Sequence, residues 1–256
     1  LQLMKILEIS DFHMTGGASI AASRIAQSIR DHGHQVLRSS SDSLDPNFAF
    51  FQGRKASFLN YTLEKIGLHS LRAKVLKKDT LKQFQRIAEM SKPDCILFHN
   101  LHGASWSQEM VRQAAKSFPT SWTLHDCSSF LSTYYPSHCS SPLEKNLLDC
   151  KDFWDSIGRS KTVFPLHAVT PSNWLKKEAT SSYWAEDSVV TIHNPIPDLF
   201  FETRDSDSCK KALRLNPEKR VVLVIAGDLK EDRKGGRIIK ELMSSFSCEN
   251  IQLLLV

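Results

Sequence analysis

The sequence predicts an α/β fold built on parallel sheets, with a first domain over residues 1–200 and a second starting at 201. Three observations carry this reading. Short apolar runs alternate with longer amphipathic stretches from Met4 to Ile192. Residues typical of tight strand-to-helix turns follow several of these runs, as in Gly16-Gly17 and His102-Gly103. A second strand–loop–helix–strand series begins only after the polar stretch Glu202 to Lys211. Strands alternating with helices read as βαβ units on a parallel sheet.

The elements follow in order. Met4 to Ile9 is a short apolar strand, and a polar turn through Gly16-Gly17 leads into a helix from about Ala18 to His32. Ile20, Ile25 and Ile29 recur near helical spacing along it, and Gly33 is placed to end it. Gln35 to Arg38 restarts as a strand, closing one βαβ unit. Residues 54–91 read as helical and basic. Asp94 to His99 is a strand, Ser107 to Ser117 a helix and Thr120 to Leu124 a strand. The stretch 126–165 reads as irregular, with a helical middle over Leu143 to Ile157. His167 to Thr170 is a strand, the helix Ser172 to Ser181 is N-capped by Ser172, and Ser188 to Ile192 is a strand. A domain boundary falls near 198–218. Val221 to Ala226, Ile238 to Phe246 and Ile251 to Val256 then form a second strand–helix–strand unit.

Composition narrows the classes. Of 256 residues, 41% are hydrophobic and 24% charged, enough apolar material for a core and too much for disorder. No apolar run reaches the roughly 18 to 20 residues of a membrane-spanning helix. The opening Leu1-Gln2-Leu3-Met4-Lys5-Ile6 does not read as a secretory signal. The six cysteines are scattered without a C-x-x-C pair and read as reduced thiols, so a cytoplasmic location is expected. The net charge of +5 does not call for nucleic acid, and none is expected as a partner. Ten Lys or Arg lie between Arg54 and Lys92 against Glu64, Asp79 and Glu89; this face could touch an anionic membrane surface or be an ordinary solvated helix face.

Four places could carry chemistry. Gly16-Gly17 opens a helix after a strand, where backbone N–H groups can meet an anion, although the pattern lacks the dinucleotide fingerprint G-x-G-x-x-G. His99-Asn100-Leu101-His102-Gly103 and His125-Asp126 lie just past two strand ends, where ligands of open α/β sheets gather. A histidine there can move a proton or bond a phosphate or sugar hydroxyl, or can be a structural hydrogen-bonded residue. Arg233-Lys234-Gly235 pairs charge with backbone donors, which suits a diphosphate. His138, Cys139 and Cys150 lack the usual spacing of a zinc site, and no metal is expected.

Taken in order, these pieces resemble a known family: retaining glycosyltransferases of the GT-B fold, family 4, also called group 1. The resemblance rests on Met4-Lys5-Ile6-Leu7 before Gly16-Gly17-Ala18, on His32-Gly33-His34-Gln35-Val36, and on Pro93-Asp94 with His99-Asn100-Leu101-His102-Gly103. It continues in Thr123-Leu124-His125-Asp126, Val169-Thr170-Pro171-Ser172, Ile192-His193-Asn194-Pro195-Ile196 and Arg233-Lys234-Gly235. The two histidine motifs look most like the branch that builds bacterial surface polysaccharides.

The resemblance implies an N-terminal Rossmann-like domain on the acceptor side and, over 201–256, the first βαβ unit of a nucleotide-sugar-binding Rossmann-like domain. It implies transfer of a sugar from a nucleotide-sugar donor to a glycan or lipid-linked acceptor, without a catalytic metal or other cofactor. His125 would be the catalytic histidine beside the transferred sugar. Gly16, Gly17, Arg233 and Lys234 would hold the donor diphosphate. His99, Asn100, His102 and Asp126 would meet the acceptor or sugar. The family's E-x7-E glutamate pair belongs further along the second domain than residue 256. The second domain is therefore expected to be incomplete and the chain inactive alone. The alternative is a non-catalytic glycosyltransferase-like module that binds an acceptor or a protein partner.

Overall fold

A computed structural model gives the fold and describes residues 2–43, 62, 65, 67–102, 104, 106–131, 164–225, 234–245 and 250–256. The chain divides into two compact units, Leu1–Ile196 and Pro197–Val256. The expected helix over 143–157, the residues of the weak zinc pattern and the segment 44–61 lie outside the described residues.

The first unit holds six parallel strands among its described residues: β1 (Lys5–Ile9), β2 (Gln35–Ser39), β3 (Cys95–Phe98), β4 (Thr120–Thr123), β5 (Leu166–Thr170) and β6 (Val189–Thr191). Their order is β2-β1-β3-β4-β5-β6. The helices are α1 (Gly17–Asp31), α2 (His69–Ser91), α3 (Glu109–Ala115) and α4 (Asn173–Thr180). The chain moves outward from β1 to β2 and then crosses back to place β3 on the other side of β1. This reversal opens a crevice beyond the carboxyl ends of β1 and β3, the usual ligand position in open α/β sheets.

Alternation along the strands builds two apolar layers. Ile6 and Val36 pack with Ala26 of α1, with Ile29, Cys95 and Leu97 against them. Leu7, Ile9, Ile96 and Phe98 face the other way, against Phe84 and Ile87 of α2 and Met110 and Val111 of α3. Burying each such side chain is worth about 1.5–3 kcal/mol. On α2, Thr80, Phe84, Ile87, Ala88 and Ser91 are buried at helical spacing, while Lys74, Lys78, Lys82 and Arg86 are exposed. Among the described residues no helix is long and apolar enough to cross a membrane.

The helix ends are set by local chemistry. Gly33, at φ +88°, ends α1: its N–H donates to the Arg30 carbonyl and the N–H of His34 to that of Ile29, the Schellman pattern. Ser172 caps α4, its Oγ accepting from the Leu175 N–H at 3.2 Å. On α1 the buried residues are Ser19, Ala21, Ala22 and Ala26, and Ile20, Ile25 and Ile29 are partly exposed. Small side chains let the helix backbone approach the sheet, leaving the longer isoleucines at the margin.

The second unit contains α5 (Ser206–Ala212), β7 (Arg220–Val224), α6 (Gly236–Ser245) and β8 (Ile251–Leu255). The strands pair in parallel, from Arg220 opposite Ile251 to Val224 opposite Leu255. The sequence reads 198–218 only as a polar boundary, yet α5 forms within it. Asp205 caps α5 by accepting from the Ser208 N–H at 2.8 Å, and Lys210 and Lys211 sit in its last turn. Capping and the helix dipole stabilise a short helix that has no buried residue.

Candidate active site

The site grows from the ends of β1, β3 and β4. Past β1 and β3 the backbones stay joined: the His99 N–H donates to the Ile9 carbonyl and the Asp11 N–H to the Asn100 carbonyl, both at 2.9 Å. Asp11 Oδ1 accepts from the Ala104 N–H at 3.3 Å, holding the loop after β3 against the loop after β1. The Trp122 indole on β4 donates to the His99 carbonyl at 2.9 Å. The histidines therefore project from a braced frame.

Four residues singled out in the sequence form two contacts there. His99 Nδ1 and His125 Nε2 lie 3.1 Å apart, with the rings stacked at a centroid distance of 5.4 Å. His102 Nε2 lies 2.7 Å from Asp126 Oδ2. Asn100, His102, His125 and Asp126, with Trp106 and Gln108, line a small recess with a cavity volume of about 40 Å³. His99 is fully buried behind it. Gly16 and Gly17 lie at the end of β1 that begins α1, exposed to solvent, and a Cβ built at either would meet nothing within 4 Å. No contact joins them to the histidines among the described interactions. Lys234 is exposed in the second unit just before α6, and Arg233 lies outside the described residues.

Electrostatics separates the two contacts. Burial lowers the pKa of His125 to about 4, against the partial opposition of Asp126. Burial, then the neighbouring His125 and Arg38, holds His99 well below the ordinary histidine value. Both rings are therefore neutral near pH 7, and each can donate one hydrogen bond and accept another. His102 behaves oppositely. Burial disfavours its charge, but the hydrogen bond and charge of Asp126, with Asp11 beyond, outweigh this and raise its pKa. Burial also works against the Asp126 carboxylate, yet hydrogen bonds from His102 and Ser128 hold its pKa below the usual range. The recess thus presents a neutral imidazole at His125 beside a His102–Asp126 pair with proton-transfer capacity.

The sequence reading missed the layer beneath. Glu8 is fully buried on β1, directly opposite Arg38 in the β1–β2 register. Arg38 Nε donates to Glu8 Oε1 at 2.5 Å, and its Nη2 donates to the His13 carbonyl at 3.1 Å. Glu8 Oε2 points the other way, 3.8 Å from His99 Nε2, and neither atom has a hydrogen-bond partner. Burial raises the Glu8 pKa to about 7 in spite of the attraction of Arg38. A signal existed: a glutamate inside the run Met4-Lys5-Ile6-Leu7-Glu8-Ile9 is anomalous for a strand buried on both faces.

Among the described residues, no group of three or more His, Cys, Asp or Glu is placed to hold a metal ion. Among the described residues Cys95, Cys127 and Cys209 form no disulfide.

No protein-family model matches the sequence, and no curated protein matches it. Solved structures do match. HepE from Anabaena in complex with UDP is 18% identical and superposes with a TM-score of 0.58 over 98% of this chain and 60% of its own. HepE with UDP and glucose is 15% identical and HepE with UDP-glucose 16%; each gives a TM-score of 0.52 over 98% of this chain and 69% of its own. The chain thus spans about 60% of the length of the first of these structures. Similarity at this level concerns the fold, and the fold is α/β of the GT-B type with a Rossmann-like first unit.

Proposed function

We propose that this chain serves in transfer of a sugar from a nucleotide-sugar donor to a glycan or lipid-linked acceptor, as a retaining glycosyltransferase of family 4 acting in bacterial surface-polysaccharide synthesis. The observation that carries the reading is the recess past the carboxyl ends of β3 and β4, where His102, His125 and Asp126 converge beside His99. The fold shared with HepE, whose structures hold UDP and UDP-glucose, makes UDP the first nucleotide to test.

In this reading His125 contacts the transferred sugar as a neutral hydrogen-bonding imidazole, because its low pKa leaves it uncharged at working pH. Charge on the departing diphosphate then falls to other groups, among them the N–H groups at Gly16 and Gly17. Oriented N–H donors and fixed cations suit a developing diphosphate charge, so no metal is required. Asn100, His102 and Asp126 line the acceptor side, with His102–Asp126 able to accept a proton from a hydroxyl. The basic residues of 54–92 would face the cytoplasmic side of the membrane, where lipid-linked acceptors reside.

Titration calorimetry with UDP and with a panel of UDP-sugars tests this. The reading expects saturable binding of UDP and tighter binding of one UDP-sugar. His125→Ala should weaken the UDP-sugar about tenfold, the loss of one hydrogen bond of about 1.4 kcal/mol, and leave UDP unchanged. Absence of binding by every nucleotide tried, or equal weakening of UDP and UDP-sugar, would overturn it.

A further inference from the structure

The buried layer under the recess has no role so far beyond packing. Three groups stand in line there. Glu8 Oε2 faces His99 Nε2 at 3.8 Å, and His99 Nδ1 contacts His125 Nε2 at 3.1 Å. His125 borders the recess. Glu8 and His99 are both fully buried. The other charged or titratable groups near the Glu8 carboxyl are Arg38 on β2, which bonds its Oε1, Arg30 on α1, and His13 past β1, held through Arg38.

We propose that Glu8 is a positioning residue that, through His99, decides which ring nitrogen of His125 carries the proton. A neutral imidazole holds one ring proton, so a hydrogen bond at one nitrogen dictates the state of the other. A separation of 3.8 Å is a charge contact rather than a hydrogen bond. An ionised Glu8 favours the His99 tautomer whose Nε2–H points at it. His99 Nδ1 is then the acceptor, His125 Nε2 must carry the proton, and His125 Nδ1 is bare. A protonated Glu8 removes that preference and offers its hydroxyl to His99 Nε2. His99 Nδ1 then donates, His125 Nε2 accepts, and the proton of His125 sits on Nδ1.

The proton count closes. A proton taken up at His125 Nδ1 releases the one on His125 Nε2 to His99 Nδ1. His99 gives its Nε2 proton to Glu8. Both rings stay neutral, and one proton has moved from the recess to the buried carboxylate. His125 could therefore accept a proton without becoming an imidazolium, the state that its burial disfavours. The bearing of this on sugar transfer rests on the function proposed above. The tautomer coupling does not, so the two can fail separately.

Long-range ¹H–¹⁵N spectra of the full chain labelled with ¹⁵N-histidine test the coupling, since they distinguish Nδ1–H from Nε2–H rings. His99 and His125 are assigned by loss of their signals in His99→Gln and His125→Gln. Between pH 5.5 and 8.5 the wild type should show both rings passing together from mainly Nδ1–H to mainly Nε2–H. Glu8→Gln should hold both as Nδ1–H throughout, because its amide oxygen faces Arg38 and its N–H faces His99. Should Glu8→Gln fail to fold, the wild-type titration alone decides. Rings that keep one tautomer across the range, or that switch independently of each other, would overturn the proposal, as would a folded Glu8→Gln that titrates like the wild type.

Discussion

Glu8→Gln makes a quantitative prediction about stability. The Glu8 pKa moves from 4.5 in a free side chain to about 7 in the fold. Between these values the folded state holds a proton that the unfolded chain has released. Stability then falls as pH rises, by about 1.4 kcal/mol per pH unit, because the unfolded state binds fewer protons. Over this window the loss is roughly 3 kcal/mol. Burial of His125 works in the opposite direction. Its pKa drops from 6.5 to about 4, so acidification through that range favours the unfolded chain by a similar amount. His99, whose pKa burial also lowers, acts in the same direction as His125, so the wild-type pH profile mixes these contributions. The difference between variant and wild type isolates Glu8. Urea unfolding followed by tryptophan fluorescence reports on Trp122 and Trp184, which meet edge to face in the core of the first unit. Relative to wild type, Glu8→Gln should gain roughly 3 kcal/mol between pH 4.5 and pH 7, whatever its absolute offset. A difference that stays flat across that range would mean that Glu8 ionises normally beside Arg38, and would refute the reasoning about its burial.

Two further predictions concern neighbouring positions. Gly16 adopts φ +84° and ψ 162°, a region almost reserved for glycine, while a Cβ would meet nothing within 4 Å. Gly16→Ala should therefore cost about 1–3 kcal/mol through the backbone alone, whereas Gly17→Ala should change stability by less than about 1 kcal/mol; equal effects in urea unfolding would contradict this. Asp126→Asn removes the charge that raises the His102 pKa and leaves the burial that lowers it. The His102 midpoint, read by NMR titration, should fall below 6.5, and an unchanged midpoint would show that Asp126 does not control it. The raised His102 pKa stabilises the fold below the unfolded value of 6.5 and loses that effect as pH rises through the folded value. Asp126→Asn should accordingly destabilise the protein more at pH 5.5 than at pH 8.

Much of the fold was legible because parallel strands advertise themselves as short apolar runs, each followed by a turn and an amphipathic stretch. Gly33 and Ser172 ended and began helices where their local chemistry put them. His99, His102, His125 and Asp126 were legible as neighbours because each lies just past the end of β3 or β4, adjacent strands in the sheet. Pairing across strands was not legible. Glu8 and Arg38 are thirty residues apart, and only the β1–β2 register makes them partners. The buried face of α1 was not legible for a related reason: periodicity finds a stripe, but the closeness of helix to sheet decides whether alanine or isoleucine fills it. Helix α5 was missed because its stability lies in an Asp205 cap and terminal charge, with no apolar face to display.

The measurement closest to the central claim is titration of the ¹⁵N-histidine-labelled chain with UDP-glucose while the ring signals are followed. The account predicts saturable shifts at His102 and His125, which line the recess, with no change at His32, His34 and His167 on other parts of the first unit. Rings of His102 and His125 unmoved by UDP-glucose and by every other nucleotide sugar tried would contradict it.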